Sequence, residues 1–154
     1  MKLIKHAPGA PGLRMFGLGP NLTPSKGLRQ LQKLFDKHAF WAQKRSLKNL
    51  RKLLSGSSVV VSLWQGKRMI GFGRATSDGI YRAVLWDIVV ADDLQGQGLG
   101  SDVVSAILSM KKLNQVERIY LMTTNGREFY QQIGFADKKD QSLLIKSNLF
   151  RKIK

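Results

Sequence analysis

Asp92-Asp93-Leu94-Gln95-Gly96-Gln97-Gly98-Leu99-Gly100-Ser101-Asp102 follows the most apolar run of the chain, Ala83–Ala91, and precedes an amphipathic stretch with Val103, Val104, Ile107 and Leu108 on one face. A continuous apolar run broken only by Asp87 reads as a central strand, and the spacing after Gly100 reads as a helix. The segment is therefore a strand-to-helix loop with three glycines. Glycine admits positive φ and lets a ligand come close to the backbone. At a helix N-terminus, free N–H groups and the macrodipole both favour an anion. The loop reads as a phosphate cradle. It lacks the lysine that ends a P-loop, since Leu99-Gly100-Ser101 stands there. It also lacks the Gly-x-Gly-x-x-Gly spacing of a dinucleotide fold, and it lies too late in the chain for one.

Outward from the loop, the pattern predicts a mixed α+β domain. Leu28, Leu31, Leu34, Phe35 and His38 recur at helical spacing after Ser25, and Leu47, Leu50, Leu53 and Leu54 do so after Ser46. Val59–Trp64 and Met69–Ala75 flank Gln65-Gly66 as a hairpin. Further strands are expected at Ile119–Met122 and Leu143–Ile145, with a short helix over Phe129–Ile133 closed by Gly134. The order is two helices, three strands, helix, strand, helix, strand, with a helix crossing between parallel neighbours. Residues 1–24 hold all four prolines and read as an irregular arm with a short strand near Arg14–Gly17. Residues 25–154 read as one domain.

Composition narrows the chemistry. The 154 residues contain no cysteine, so disulfides, thiolate nucleophiles and cysteine zinc sites are excluded. Two histidines, His6 and His38, leave little for a metal centre or a Ser-His-Asp site, and no metal is expected. No run approaches a membrane span or a signal peptide, so a membrane partner is not expected and a cytoplasmic protein is. The net charge of +16 attracts polyanions: nucleic acid, an anionic membrane or a phosphorylated cofactor.

Gln95-x-x-Gly98-x-Gly100 resembles the acetyl-CoA signature of the GNAT N-acetyltransferase superfamily, Gln/Arg-x-x-Gly-x-Gly/Ala. Phe129-Tyr130-Gln131-Gln132-Ile133-Gly134-Phe135 is similar to its second hallmark, Phe/Leu-Tyr-x-x-x-Gly-Phe. Arg74–Asp78 and Trp86–Val90 resemble the cyanobacterial and plastid branch, which includes enzymes described as serotonin N-acetyltransferases and as plastid protein acetyltransferases. The likeness covers roughly residues 26–146. It implies a GNAT-like acyl-CoA N-acyltransferase fold, a central mixed β-sheet flanked by helices, with acetyl-CoA as cosubstrate. Its pantetheine is expected along Ile88, Val89 and Val90. Its pyrophosphate is expected on Gln95, Gly96, Gln97, Gly98, Leu99, Gly100 and Ser101, with Asn125 and Tyr130 on the other side. If the chain is plastid-encoded, its place is the stroma.

The reaction implied is direct attack of an amine on the thioester. An alkylammonium of pKa about 10.4 must first lose a proton at pH 7, a gap of roughly 4.6 kcal/mol. Tyr130 is the expected proton donor to the departing thiolate. Asp87 is the candidate base, although strand alternation turns it away from the site unless a bulge intervenes; a water chain is the alternative. Trp86, Phe35 and Trp41 are candidates for lining an aromatic-amine acceptor site, with core packing as their plainer role. Arg74 and Asp78 read as a structural pair, and Asp92 and Asp93 as solvated loop residues. The acceptor is expected to be an arylalkylamine such as serotonin or tryptamine, or else a lysine or N-terminal amine of a protein. A basic nucleic-acid-binding module and a CoA sensor without catalysis are the competing classes. No nucleic-acid motif supports the former, and a homodimer stays open.

Overall fold

The computed structural model describes residues 1–148. Strand β2 (Val59–Gln65) is buried from Val59 to Trp64, as a run that is apolar except for Ser62 requires. Around it a five-stranded sheet runs in the order β1 (Lys2–Lys5), β2, β3 (Arg68–Ser77), β4 (Arg82–Val90), β5 (Arg118–Tyr120). The first four strands pair antiparallel. β5 lies parallel to β4 and reaches it through helix α4 (Leu99–Leu108). The helices α1 (Pro11–Phe16), α2 (Gly27–His38) and α3 (Leu47–Ser55) precede β2. This is the expected mixed sheet flanked by helices.

Alternation along β3 assigns the helices to faces. Phe72 meets Phe35 of α2 edge to face, with centroids 5.5 Å apart. A Cβ on the next residue, Gly73, would lie 2.6 Å from Ile107 of α4 and 2.7 Å from Ile88. Neighbouring strand residues point to opposite faces, so α2 and α4 cover opposite sides of the sheet. Gly73 is what lets α4 sit this close.

Residues 1–24 carry more regular structure than their prolines and glycines predict. Lys2–Lys5 pairs with Val61–Trp64 as an outer strand. The segment expected as a strand, Arg14–Gly17, is the end of α1, started by Pro11 and stopped by Gly17 at φ +62°. Ser25 does not cap α2. Lys26 precedes that helix in the left-handed region, and the Ser25 hydroxyl donates to the Thr23 carbonyl. Ser46 does cap α3, accepting from the Asn49 amide at 3.1 Å. Ser62, buried in β2, accepts from Trp64 Nε1 (2.8 Å) and shares a hydrogen bond with His6 Nε2 (2.7 Å).

The chain divides into two compact units, Met1–Met122 and Thr123–Lys154. In the second, α5 (Arg127–Gln132) matches the expected short helix. Leu143–Ile145, expected as a last strand, is not one: the three apolar side chains are exposed, with no strand beside them among the described residues. Arg151, Lys152 and Lys154 lie outside the described residues.

Candidate active site

Pairing between β4 and β5 ends at Val84↔Tyr120. Beyond it, β4 has β3 on one side and, among the described residues, no strand on the other. The backbone from Leu85 to Val90 thus has an open edge at the place where Ile88, Val89 and Val90 were expected to meet an extended ligand. Val89 and Val90 are themselves buried, so a ligand there meets main chain more than side chain.

The Cα pairs of β3 and β4 jump from Phe72↔Val89 to Arg74↔Trp86, setting Asp87 and Ile88 against Gly73 alone. This is a bulge. Asp87 has φ +54°, a conformation that costs a non-glycine residue on the order of 1 kcal/mol. The bulge overrides the alternation rule and presents Asp87 to a cluster of side-chain partners. Its side chain is 5% exposed. Oδ2 accepts from Arg74 Nε at 2.8 Å, and Oδ1 accepts from Trp41 Nε1 at 3.2 Å. Arg45 Nη1 also lies 3.1 Å from Oδ1, near enough for an ion pair though not aligned for a hydrogen bond. Arg45 stacks on the Phe35 ring at 5.3 Å, and Arg74 on Trp86 at 5.8 Å. Trp86 Nε1 donates to Thr76 Oγ1 at 2.9 Å.

These contacts correct several expectations. Asp87 is not a free carboxylate: each oxygen is already engaged, with two guanidinium groups beside it. Phe35 is fully buried between Phe72 and Arg45 and has no surface to offer an acceptor. Arg74 pairs with Asp87 and not with Asp78, whose Oδ1 instead accepts from the amides of Ile80, Tyr81 and Arg82. Those bonds hold the Asp78 carboxyl below its usual range. Trp41 remains 47% exposed and meets the more exposed Phe40 edge to face at 5.1 Å.

After β4 the chain turns through a short helical turn, Asp92–Leu94, into the glycine loop. Gly96 and Gly98 sit at φ +80° and +81°, and a Cβ on either would meet nothing within 4 Å. Gly98 starts α4 with no side-chain cap. The first bond of the helix runs from the Asp102 amide to the Gly98 carbonyl at 3.0 Å. The amides of Leu99, Gly100 and Ser101 therefore have no acceptor within α4. Open, Cβ-free backbone followed by amides with no acceptor in the helix is an arrangement that fits a diphosphate. Gln95 turns inward, its Nε2 donating to the Val90 carbonyl (3.3 Å) and to Asp92 Oδ1 (3.0 Å). Asp93, expected to be merely solvated, receives a two-pronged contact from Arg68 at 3.0 and 2.8 Å. That contact holds its carboxyl below the ordinary range.

In the second unit, Tyr130 lies between Phe129 and Phe135, with centroids 4.9 and 5.9 Å away. Burial pushes its phenol up from the ordinary value, so it stays protonated at neutral pH. Its Cε2 would be 3.2 Å from a Cβ on Gly126, whose amide donates to Thr123 Oγ1. Asn125 is exposed just before this turn. Among the described residues no cluster of His, Asp or Glu could hold a metal ion, and no helix is long and apolar enough to cross a membrane.

A sheet that opens beside β4, with a glycine-rich loop leading into α4, defines an acyl-CoA transferase fold, and the comparisons agree. The family model described as an acetyltransferase (GNAT) domain matches residues 56–137, and the chain belongs to that family as an N-acetyltransferase. It is 35% identical over 118 residues to the N-acetyltransferase ycf52 of Pyropia yezoensis, covering 73% of this chain and 67% of that one. It is 33% identical over 117 residues to the soybean (Glycine max) histone acetyltransferase TAP1, covering 68% and 46% of the two chains. Identity is again 33%, over 105 residues, to the chloroplastic serotonin N-acetyltransferase 2 of rice (Oryza sativa subsp. japonica), covering 63% and 51%. A GNAT-family protein from Xanthomonas campestris superposes with a TM-score of 0.68 at 18% identity, covering 96% of this chain and 94% of that one. Proteins of this fold use acetyl-CoA.

Proposed function

We propose that this chain acetylates the primary amine of an arylalkylamine, of the serotonin or tryptamine kind, at the expense of acetyl-CoA. The observation that carries the acceptor class is the exposed Phe40–Trp41 pair, fastened to β4 by the Trp41–Asp87 hydrogen bond. A flat aromatic surface takes up an indole ring by stacking or edge contact, each worth about 0.5–1.5 kcal/mol beyond area burial. The rice relative's name supports the same class. A cytoplasmic or stromal location goes with this reading, the rice relative being named chloroplastic.

Acetyl-CoA supplies a thioester whose thiolate the amine displaces. The loop amides from Gln95 to Ser101 hold the diphosphate, and the open edge at Ile88, Val89 and Val90 pairs with the amides of the pantetheine arm. Asn125 is a further candidate for contacting the cofactor. Tyr130, kept neutral by burial, gives its proton to the departing sulfur. Asp87 acts by position: it holds Trp41, Arg45 and Arg74, and the amine's proton leaves to water. Trp86, tied to Thr76 and Arg74, backs the acceptor side.

A protein amine is the second reading, favoured by the soybean relative's name. Residues 1–77 contain one acidic residue, Asp36, against fifteen Lys and Arg. Such a surface repels a polycationic tail, so a protein acceptor is expected to be neutral or acidic around its target amine.

The deciding experiment measures coenzyme A release with serotonin, tryptamine, spermidine and a lysine peptide. The proposal expects kcat/KM for the indole amines to exceed that for spermidine by at least about a hundredfold. Turnover with the peptide alone would move the enzyme to the second reading. Tyr130→Phe is expected to lower kcat about a hundredfold or more while acetyl-CoA affinity stays within about threefold. Wild-type turnover across pH would remove Tyr130 from the chemistry.

A further inference from the structure

The last residue of α2, His38, reaches across to Asp92, two residues past the end of β4. Its Nδ1 is 3.1 Å from the Asp92 amide and 3.1 Å from Asp92 Oδ2, and its side chain is 12% exposed against 65% for Asp92. One nitrogen cannot serve both atoms at once: unprotonated it accepts the Asp92 N–H, and protonated it donates to the carboxylate. In either state it pins the same residue. Asp92 in turn receives Gln95 Nε2 on its other oxygen, and Gln95 also reaches the Val90 carbonyl. The chain His38–Asp92–Gln95–Val90 therefore closes the neck of the loop just ahead of Gly96 and Gly98.

Besides this chain of contacts, the Arg68–Asp93 pair holds the start of the loop, ahead of Gln95. Gly96 and Gly98 have no side chains and no neighbour within 4 Å of a would-be Cβ, and α4 begins without a side-chain cap. A glycine loop left to itself loses more conformational freedom on ordering than any other kind, and that loss is charged against ligand affinity. The same α2 exit continues into Trp41 and Arg45, which both contact Asp87. Residues 38–45 are thus stitched to the β4 region at three points, one at the loop and two at the bulge.

We infer that His38 is a positioning residue for the cosubstrate loop: its contact with Asp92 pre-orders the Gln95–Ser101 amides for a diphosphate. The inference rests on the loop being the acetyl-CoA cradle, so its test has an arm that does not. Without ligand, amide hydrogen exchange over residues 95–101 is compared in wild type, His38→Ala, His38→Asn and His38→Gln. Acetyl-CoA binding is then measured by calorimetry on the same four proteins. Asparagine puts a polar atom where Nδ1 stands, whereas glutamine carries its polar atoms one bond further out.

His38→Ala is expected to speed loop exchange at least about fivefold and to raise the acetyl-CoA Kd about tenfold, the loss of one hydrogen bond and its ordering. kcat at saturation is expected to stay within about twofold. His38→Asn is expected to restore exchange and affinity, and His38→Gln not to. Unchanged loop exchange in a folded His38→Ala overturns the inference, as does faster exchange with unchanged Kd. Should the alanine variant fail to fold, the asparagine and glutamine variants carry the test, and equal behaviour of those two overturns it. Failure of the wild type to bind acetyl-CoA refutes the cradle, while the exchange data still decide whether His38 orders the loop.

Discussion

At Asp87, β4 is held in place by side chains; nine residues on, from Gly96 to Gly98, the chain is shaped by the glycines that lack them. The first region buries a carboxylate among two arginines and an indole, and spends backbone strain on a bulge to do so. The second leaves glycines open to solvent and braces them only at the neck. One is built of packed, charged side chains, where the proposed function puts the acceptor. The other leaves main-chain amides open, where the proposed function puts the diphosphate. The two should therefore respond to different perturbations: the first through stability, the second through ligand affinity.

Asp87→Ala tests that separation most severely. Removing one member of a buried ionic cluster strands the others and typically costs 3–5 kcal/mol. Urea unfolding is expected to show about 3 kcal/mol or more, while the acetyl-CoA Kd of the folded fraction moves less than about threefold. A loss under about 1 kcal/mol would mean that the arginines are solvated without Asp87, and the contrast would fail.

A second side-chain-built spot sharpens the comparison through pH. Burial lowers the His6 pKa from 6.5 to about 4. The unfolded chain therefore binds a proton at His6 in a range where the folded chain does not. Its contribution is complete above pH 6.5 and is lost as pH falls from 6.5 to 4, worth up to roughly 3 kcal/mol at 1.36 per pKa unit. Unfolding midpoints measured across that window should drop for the wild type and flatten for His6→Gln, with the loop's ligand affinity unaffected by the substitution. Parallel pH curves for the two proteins would contradict the assignment.

Gly98→Glu is the smallest expected perturbation of the fold and makes the converse point. A non-glycine residue at φ +81° costs about 1 kcal/mol, and the site has room for the side chain. The carboxylate would stand beside the cradle amides and compete with a diphosphate there. Calorimetry should show acetyl-CoA binding weakened about tenfold or more with the fold intact; unchanged affinity would take the loop out of cofactor binding.

The same contrast explains which parts could be read from sequence. The turn at Gln95–Gly100 was legible because positive φ is written in glycines, and glycine spacing survives any surroundings. The hairpin, the parallel crossover through α4 and the helix at Phe129–Ile133 were legible because period and turn chemistry are local. The Asp87 cluster was not. Arg45 lies 42 residues from its carboxylate partner and Trp41 46, and no pattern in a lone sequence joins them. The bulge that aims Asp87 inward breaks the very alternation a reader relies on. His38 and Asp92 were separately visible, one as a helix residue and the other as a loop acid, but their meeting depends on how α2 lies against the sheet. β1 was missed because four residues of an outer strand leave too short a signal to stand out from the proline- and glycine-rich stretch behind them.

The early end of β4–β5 pairing has a further consequence, for self-association. An unpaired strand edge is a template on which foreign chains can grow, and most proteins blunt such edges with charge, proline or a covering loop. Here the edge is interrupted in register: Arg82, Ala83 and Val84 are already taken by β5. An invading strand therefore runs into the existing pairs after the six residues from Leu85 to Val90. What remains is a berth long enough for a thin, extended molecule and too short to seed a growing sheet.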